Sequence, residues 1–156
     1  DLAKPFLHWQ DMFTEMPKIQ MEFNEKQIKY KSFKTGILGK KLTDETIKVW
    51  EQRIETDTDL GQIHERISGK AKRFQVKFIR ENKTPNTIAA GEDSIPILYD
   101  FPNRIENNEI IMIGSFPKDY NFLNLKIGYL IGMSVPPIMT AQISTKIYEQ
   151  WLSKLL

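Results

Sequence analysis

The sequence contains no cysteine among its 156 residues. A disulfide framework, a zinc–thiolate site and a cysteine nucleophile are therefore excluded within it. Its two histidines, His8 and His64, lie far apart in the chain. They give little support to a histidine-based metal site or a Ser/His/Asp triad. We predict no catalytic residue and no metal ligand in this chain.

Long apolar runs are absent as well. No stretch of the sequence approaches the ~18 consecutive apolar residues of a transmembrane helix. The first ten residues lack the basic and apolar regions of a signal peptide. We therefore expect no membrane partner. The phosphate loops GxxxxGKS/T and GxGxxG are missing too, as are the HExxH, EF-hand and GxSxG motifs.

Positive charge is concentrated in two segments, although the formal net charge is only +2. Residues 24–41 hold six lysines and one acid, with Gly36 and Gly39 bracketing a loop. Residues 70–83 hold six basic residues and one acid. A lysine run is usually a solvated face, but lysines interleaved with aromatic residues also fit contact with a phosphate backbone. Both interpretations stay open at this point.

Capping residues and apolar spacing predict the secondary structure. Thr43 and either Asp57 or Thr58 can cap two helices within 43–69, the second ending at Gly69. Alternating apolar residues predict a half-buried strand at 73–80, and 94–100 is typical of an edge strand. A final helix is predicted at about 137–155, with Ser134 as its cap. We expect an α+β fold: a small twisted antiparallel sheet, flanking helices and a long C-terminal helix.

Three segments of the second half resemble conserved motifs of the DNA cytosine-5 methyltransferases. Residues 128–143 match the Gly-Asn-Ser-Val-Pro-Pro motif that precedes a helix, except that Met133 replaces the asparagine. Residues 106–122 match the preceding motif at Glu109, Phe116, Pro117, Asp119 and Tyr120, with departures at Asn108 and Ser115. Residues 84–91 resemble the Pro-x-Thr-Ile-x-Ala stretch after the family's target-recognition region. The order and spacing of the three matches carry more weight than any one.

The resemblance implies that this chain recognises the DNA and that a separate catalytic domain carries out the chemistry. Residues 1–104 would form the target-recognition domain, and 105–156 would be the C-terminal motifs that pack back on the catalytic domain. In the family, that Rossmann-like domain binds S-adenosylmethionine and supplies a Pro-Cys thiolate that attacks a flipped cytosine. This chain has neither Pro-Cys, Glu-Asn-Val nor Phe-x-Gly-x-Gly. We therefore expect it to be inactive alone, as a fragment of a longer enzyme or the smaller subunit of a split methyltransferase.

Site residues come from two sources. By resemblance, Ser134 and Val135 lie near S-adenosylmethionine, Thr87 lies against a phosphate near the flipped nucleotide, and Arg104 and Glu109 are structural. From the charge pattern, we predict that the basic loop and the polar face of the 73–80 strand contact DNA. These residues are Lys34, Lys40, Lys41, Arg73, Gln75, Lys77 and Arg80. The lysines would position the DNA backbone, whereas Arg73, Gln75 or Arg80 could reach base edges.

The expected partners are duplex DNA and the catalytic domain or subunit of the same methyltransferase. The apolar stripe of the final helix also predicts self-association, or packing of the helix on its own domain. The resemblance further implies a restriction–modification or phage system and a cytoplasmic location. Two alternatives stay open: a stand-alone DNA-binding module, and a structural or interaction domain whose similarity to the family is fortuitous.

Overall fold

A computed structural model of the chain describes residues 27–70, 76–91 and 95–154. Backbone contacts divide the chain into two compact units, the larger spanning Glu25–Met139. Of the other unit, the described part is 140–154. The predicted DNA contacts Arg73 and Gln75 lie outside the described residues. The division at residue 104, inferred from the resemblance, stays a prediction.

Two helices follow a short 3-10 helix at Tyr30–Ser32: α1 at Asp44–Trp50 and α2 at Leu60–Ser68. As predicted, Thr43 caps α1, its hydroxyl accepting a hydrogen bond from the Thr46 amide. The predicted cap of α2 is wrong, because Asp59 accepts the hydrogen bond from the Gln62 amide. Gly69 ends α2 in the left-handed conformation, with φ 68°, as predicted.

Within the described ranges, the sheet consists of two short strands, β1 at Phe78–Ile79 and β2 at Ile97–Leu98. They run parallel, with Phe78 opposite Ile97, so the prediction of an antiparallel sheet is wrong for this pair. The physical reason is the connection: residues 80–96 are long enough for the crossover of about a dozen residues that parallel strands need. Antiparallel pairing in the described part occurs only as isolated bridges, such as Asp59 with Lys77.

The sheet separates two apolar clusters, so its side chains are buried on both faces, as is typical of parallel strands. Phe78 and Ile97 belong to a cluster with Leu42, Trp50, Leu60, Ile63 and Val76. Ile79 and Leu98 belong to a second cluster with Tyr30, Ile88, Ile105, Ile110, Ile111, Phe122 and Ile131. Among the described residues of the predicted strand 73–80, Val76, Lys77 and Phe78 follow the predicted half-buried alternation, whereas Ile79 departs from it because it is buried as well.

Three helices follow: α3 at Asn107–Ile113, α4 at Ile127–Met133 and α5 at Pro137–Gln150, the last being the predicted C-terminal helix. The fold is thus a mixture of helices and a small two-stranded sheet. Ser134 does not cap α5, because α5 begins at Pro137 and Ser134 lies before the capping position, which directly precedes Pro137. It ends α4 instead, where its hydroxyl donates 2.8 Å to the Ile131 carbonyl. No residue of α5 is buried; self-association through it stays a prediction. Within the described residues, no helix is long and apolar enough to cross a membrane.

Candidate nucleic-acid interface

Lys77 and Arg80 line a cavity of about 280 Å³, here called the basic cavity. Its described walls combine three cationic side chains with hydroxyl and amide groups and include no acid: Thr58, Lys77, Phe78, Arg80, Lys83, Thr84 and Asn86. Cationic side chains together with hydroxyl donors are the groups that bind phosphate oxygens in nucleic acids. The cavity therefore has the charge and the donors to hold a phosphate.

Backbone hydrogen bonds fix the walls of the basic cavity. The Phe78 amide donates 2.9 Å to the Thr58 carbonyl, which joins β1 to the segment before α2. The Lys83 amide donates 3.1 Å to the Arg80 carbonyl and closes the turn after β1. The Lys83 carbonyl in turn accepts 3.0 Å from the Tyr30 amide. The segment from Phe78 to Lys83 is thus hydrogen-bonded at both ends to other parts of the chain.

The Lys77 ammonium is held by an ion pair with Asp59. Nζ lies 2.7 Å from Asp59 Oδ2, and the lysine side chain stays about half exposed. Burial raises the pKa of Asp59, but hydrogen bonds from Lys77 and from backbone amides outweigh it, so that the pKa lies below its usual value. Asp59 therefore stays ionised at neutral pH. It holds Lys77 at the cavity wall and at the same time caps α2 by accepting a hydrogen bond from the Gln62 amide.

The Arg80 guanidinium is fixed by the chain itself. Its Nη2 donates to the carbonyls of Glu55 at 2.5 Å and Asp57 at 3.1 Å. Its plane lies 3.4 Å from the centroid of the Tyr99 ring, a cation–π contact. A second guanidinium, that of Arg53, lies 5.1 Å from the same ring. Arg80 therefore forms a rigid wall of the basic cavity, and its role in reading base edges stays a prediction.

The remaining predicted lysines lie outside the basic cavity. Lys34 forms an ion pair with Glu81. Lys40 lines a larger cavity, and Lys41 is exposed, with its backbone bridged to Asn103. Five residues of the basic cavity were not predicted as DNA contacts from the sequence, namely Thr58, Phe78, Lys83, Thr84 and Asn86. Lys83 could have been predicted, since it is a basic residue of the segment 70–83, whereas the charge pattern does not indicate the other four.

The three residues to which the resemblance assigns a ligand contact, Thr87, Ser134 and Val135, lie on or near the surface. Thr87 is exposed, next to the buried Ile88. Ser134 is half-buried, and Val135 is 61% exposed. Met133, at the position of the family's asparagine, is 63% exposed. The structure thus leaves the Met133–Val135 turn accessible to a ligand or a partner.

The three segments that resemble the methyltransferase motifs pack against each other. A Cβ built on Gly132 would overlap the Ala89 carbonyl and lie 2.6 Å from Ala90 N, so α4 directly abuts segment 84–91. A Cβ on Gly114 would lie 2.6 Å from the side chain of Ile131, so the end of α3 abuts α4. These contacts were not predicted from the sequence, although Gly132, Ala89 and Gly114 are visible in it as small residues.

Glu109 is fully buried. It links α3 to the loop that Gly36 and Gly39 bracket, here called the glycine loop. Its Oε1 accepts hydrogen bonds from Thr35 N at 2.9 Å and Thr35 Oγ1 at 3.2 Å, and its Oε2 accepts one from Glu106 N at 3.2 Å. Burial, then a hydrogen bond to Glu109, raises the pKa of the Tyr30 hydroxyl. These contacts fit the structural role expected for Glu109.

Within residues 27–70, 76–91 and 95–154, no group of three acidic or histidine side chains could hold a metal ion. No known protein family, curated protein or solved structure matches the chain. Functional interpretation therefore depends on the residues themselves and on the arrangement of the three motif-like segments.

Proposed function

We propose that this chain is the DNA-recognition part of a DNA cytosine-5 methyltransferase, in which S-adenosylmethionine is the methyl donor. The observation that carries the proposal is the contact between Gly132 and the Ala89 backbone. It joins two of the segments that resemble the family's motifs, although 40 or so residues separate them in sequence. Segments that belong to one functional unit are expected to converge in this way.

The basic cavity supports the DNA-binding half of the proposal. Lys83, and Lys77 in exchange for part of its contact with Asp59, would neutralise backbone phosphates. The hydroxyl groups of Thr58 and Thr84, which donate over 3.4 Å to Asp59 and 3.5 Å to Gln27, would turn to donate to phosphate oxygens instead. Arg80, already fixed on Tyr99, would need little reordering on binding. Such contacts set the register of the protein on the duplex and carry no sequence information by themselves.

The accessible turn before α5 supports a contact with the cofactor. Val135 offers an exposed apolar side chain, and the Ser134 oxygen, whose proton goes to Ile131, can still accept a hydrogen bond. These residues fit one edge of an S-adenosylmethionine site, whereas Met133 lacks the amide of the family's asparagine. The cofactor would supply the methyl group, and most of its site would lie on the catalytic domain.

Exposed apolar residues around α4 support a partner that carries the chemistry. Their exposed fractions range from 57% to 71%, at Leu123, Leu125, Met133, Val135 and Ile138. Apolar surface of this kind marks interaction sites when it is extensive. Since the chain has no cysteine, the thiolate that attacks cytosine must come from that partner.

A methyl-transfer assay tests the proposal. Radiolabelled S-adenosylmethionine and duplex DNA are incubated with this chain, with a catalytic domain that carries Pro-Cys and Glu-Asn-Val from the same or a neighbouring reading frame, and with both. We expect site-specific transfer only when both are present. Transfer by this chain alone would contradict the proposal, because the chain has no thiolate. DNA binding without any effect on transfer would favour the stand-alone DNA-binding module.

A further inference from the structure

A second cavity has no role in the function proposed above. It measures about 740 Å³ and lies between the glycine loop, the segment before α3 and the first turn of α4. Ligand pockets commonly measure about 300–1,000 Å³, so it could hold a molecule of nucleotide size. Here it is called the Lys40 cavity, and among the described residues it shares no wall with the basic cavity.

Basic side chains outnumber acidic ones on the described walls of the Lys40 cavity. Among the described residues, these walls carry Lys40, Arg104 and Lys126 and one acid, Glu106. Backbone hydrogen bonds bring two of the basic residues to one wall: Arg104 N donates 2.9 Å to the Lys40 carbonyl, and Gly39 N donates 3.1 Å to the Arg104 carbonyl. This excess of basic residues favours an anionic ligand.

Exposed apolar and aromatic side chains lie on the same walls. Tyr129 is 46% exposed, Leu38 is 49% exposed and Leu125 is 57% exposed. An aromatic ring that is left accessible beside cationic side chains is the combination with which proteins stack a base and hold its phosphate. An inorganic anion would use only the cations and would leave these apolar groups in water.

Two glycines give the Lys40 cavity its shape. A Cβ on Gly39 would lie 2.6 Å from the Arg104 carbonyl oxygen, and one on Gly128 would lie 2.9 Å from the Ile95 side chain. The glycine loop and α4 can therefore approach the Ile95 and Arg104 segments closely. In addition, Arg104 Nη1 donates 2.7 Å to the Ile95 carbonyl, which orients the guanidinium. The walls are thus ordered before any ligand binds.

We propose that the Lys40 cavity binds a nucleotide, with its phosphate at Lys40, Arg104 and Lys126 and its base against Tyr129. The proposal goes beyond the recognition of duplex DNA and does not depend on it. The shared ligand chemistry is a phosphate joined to an aromatic base. Its source is either a free mononucleotide or an unpaired nucleotide within a strand.

Fluorescence titration of the full chain tests the proposal with three probes. These are 2-aminopurine riboside monophosphate, a single-stranded hexadeoxynucleotide with one 2-aminopurine, and inorganic phosphate as a competitor. We expect quenching of the first two probes, and the tighter binder identifies the source. Phosphate should compete only at concentrations far above those of the nucleotide. Competition by phosphate at equal concentration, or no quenching by either probe, would overturn the proposal.

Three variants locate the site. Tyr129→Ala and Lys40→Gln should each weaken probe binding about tenfold, a loss typical of one stacking or charged contact. Tyr148→Ala is the matched control, since Tyr148 is 52% exposed on α5 and lies outside the cavity. Unchanged thermal unfolding shows that each variant folds. Equal affinity of all three variants for the nucleotide would place it elsewhere and overturn the proposal. The binding of duplex DNA at the basic cavity should not change in Tyr129→Ala.

Discussion

The backbone of Ala89 occupies the space that a side chain at Gly132 would need. Gly132 lies inside α4, where alanine would be favoured over glycine by about 1 kcal/mol of helix propensity. The glycine is explained by the close approach of α4 to segment 84–91, because a Cβ could not be accommodated there. This contact holds together two segments that resemble methyltransferase motifs.

Replacement of this glycine tests the contact. Gly132→Ala should lower the free energy of unfolding by about 1–3 kcal/mol, the usual cost of overpacking, despite the gain in helix propensity. Urea unfolding measures the change. Gly36→Ala is the control for glycine replacement in open space, since a Cβ there would have no neighbour within 4 Å and only the φ of 79° is unfavourable. A Gly132→Ala protein that is more stable than the wild type would contradict the close approach.

The buried Glu109 carboxylate should control the order of the glycine loop. Glu109→Gln places an amide where Thr35 and Glu106 donate hydrogen bonds, and should lower the free energy of unfolding by about 1.5–3 kcal/mol. Hydrogen exchange should show faster exchange of the Thr35 amide. The matched control is Asn108→Ala, at an exposed neighbour, with little effect expected. Undiminished protection of the Thr35 amide would show that the loop does not depend on Glu109.

Arg80 should contribute to the stability of the fold mainly through its stacking on Tyr99. Arg80→Lys retains the positive charge but loses the planar guanidinium, and should lower the free energy of unfolding by about 0.5–2 kcal/mol. The salt dependence of DNA binding should stay nearly the same. Lys83→Arg, in the same turn, is the control and should leave stability unchanged. An Arg80→Lys protein of full stability but altered base preference would favour the reading of bases by Arg80.

The Asp57–Arg66 ion pair should make stability depend on pH. The two side chains form a bidentate pair, with distances of 2.7 and 2.8 Å. The hydrogen bonds from Arg66 hold the pKa of Asp57 below its usual value, against the opposing effect of burial. A lowered pKa contributes stability above the unfolded value of about 3.9, and this contribution is lost as the pH falls through the folded value.

Urea unfolding of Arg66→Gln across this range checks the prediction. The variant should be clearly less stable than the wild type at about pH 6, and the difference should shrink as the pH falls below the unfolded value of about 3.9 and through the lowered folded value. Asp57→Asn should show a weaker dependence on pH over the same interval. A difference between wild type and Arg66→Gln that is constant with pH would show that the pair does not perturb Asp57.

Features that depend on nearby residues could be predicted from the sequence. The Thr43 cap, the stop at Gly69 and the C-terminal helix from Pro137 are each specified within a few residues. Features that depend on side-chain partners elsewhere in the fold could not be predicted. Asp57 does not cap α2, because α2 begins at Leu60 and Asp59 holds the capping position; the Asp57 carboxylate pairs with Arg66, nine residues further along. The parallel pairing of β1 and β2 likewise could not be predicted, because each strand has only two residues, too few for a clear pattern in the sequence.

The candidate site shows the same limit. Lys77 and Arg80 could be predicted as a pair because they share one basic segment, and the structure brings them to one cavity. Lys34 belongs to an equally basic segment, but it pairs with Glu81, 47 positions away, and lies outside this cavity. Lys77 is also paired, with Asp59, and still lines the cavity. Charge in a sequence thus indicates which residues are basic, whereas the fold determines which of them share a surface.

The salt dependence of binding to duplex DNA tests the central claim most directly. Log affinity should fall linearly with log salt, by about 0.9 for each phosphate neutralised. Lys77→Gln combined with Lys83→Gln should make this slope less steep by about twice 0.9, the contribution of two neutralised phosphates. Lys48→Gln, on exposed α1 surface outside the basic cavity, should leave the slope unchanged. A flat slope for the wild type, or equal slopes for the wild type and the double variant, would contradict DNA recognition through the basic cavity.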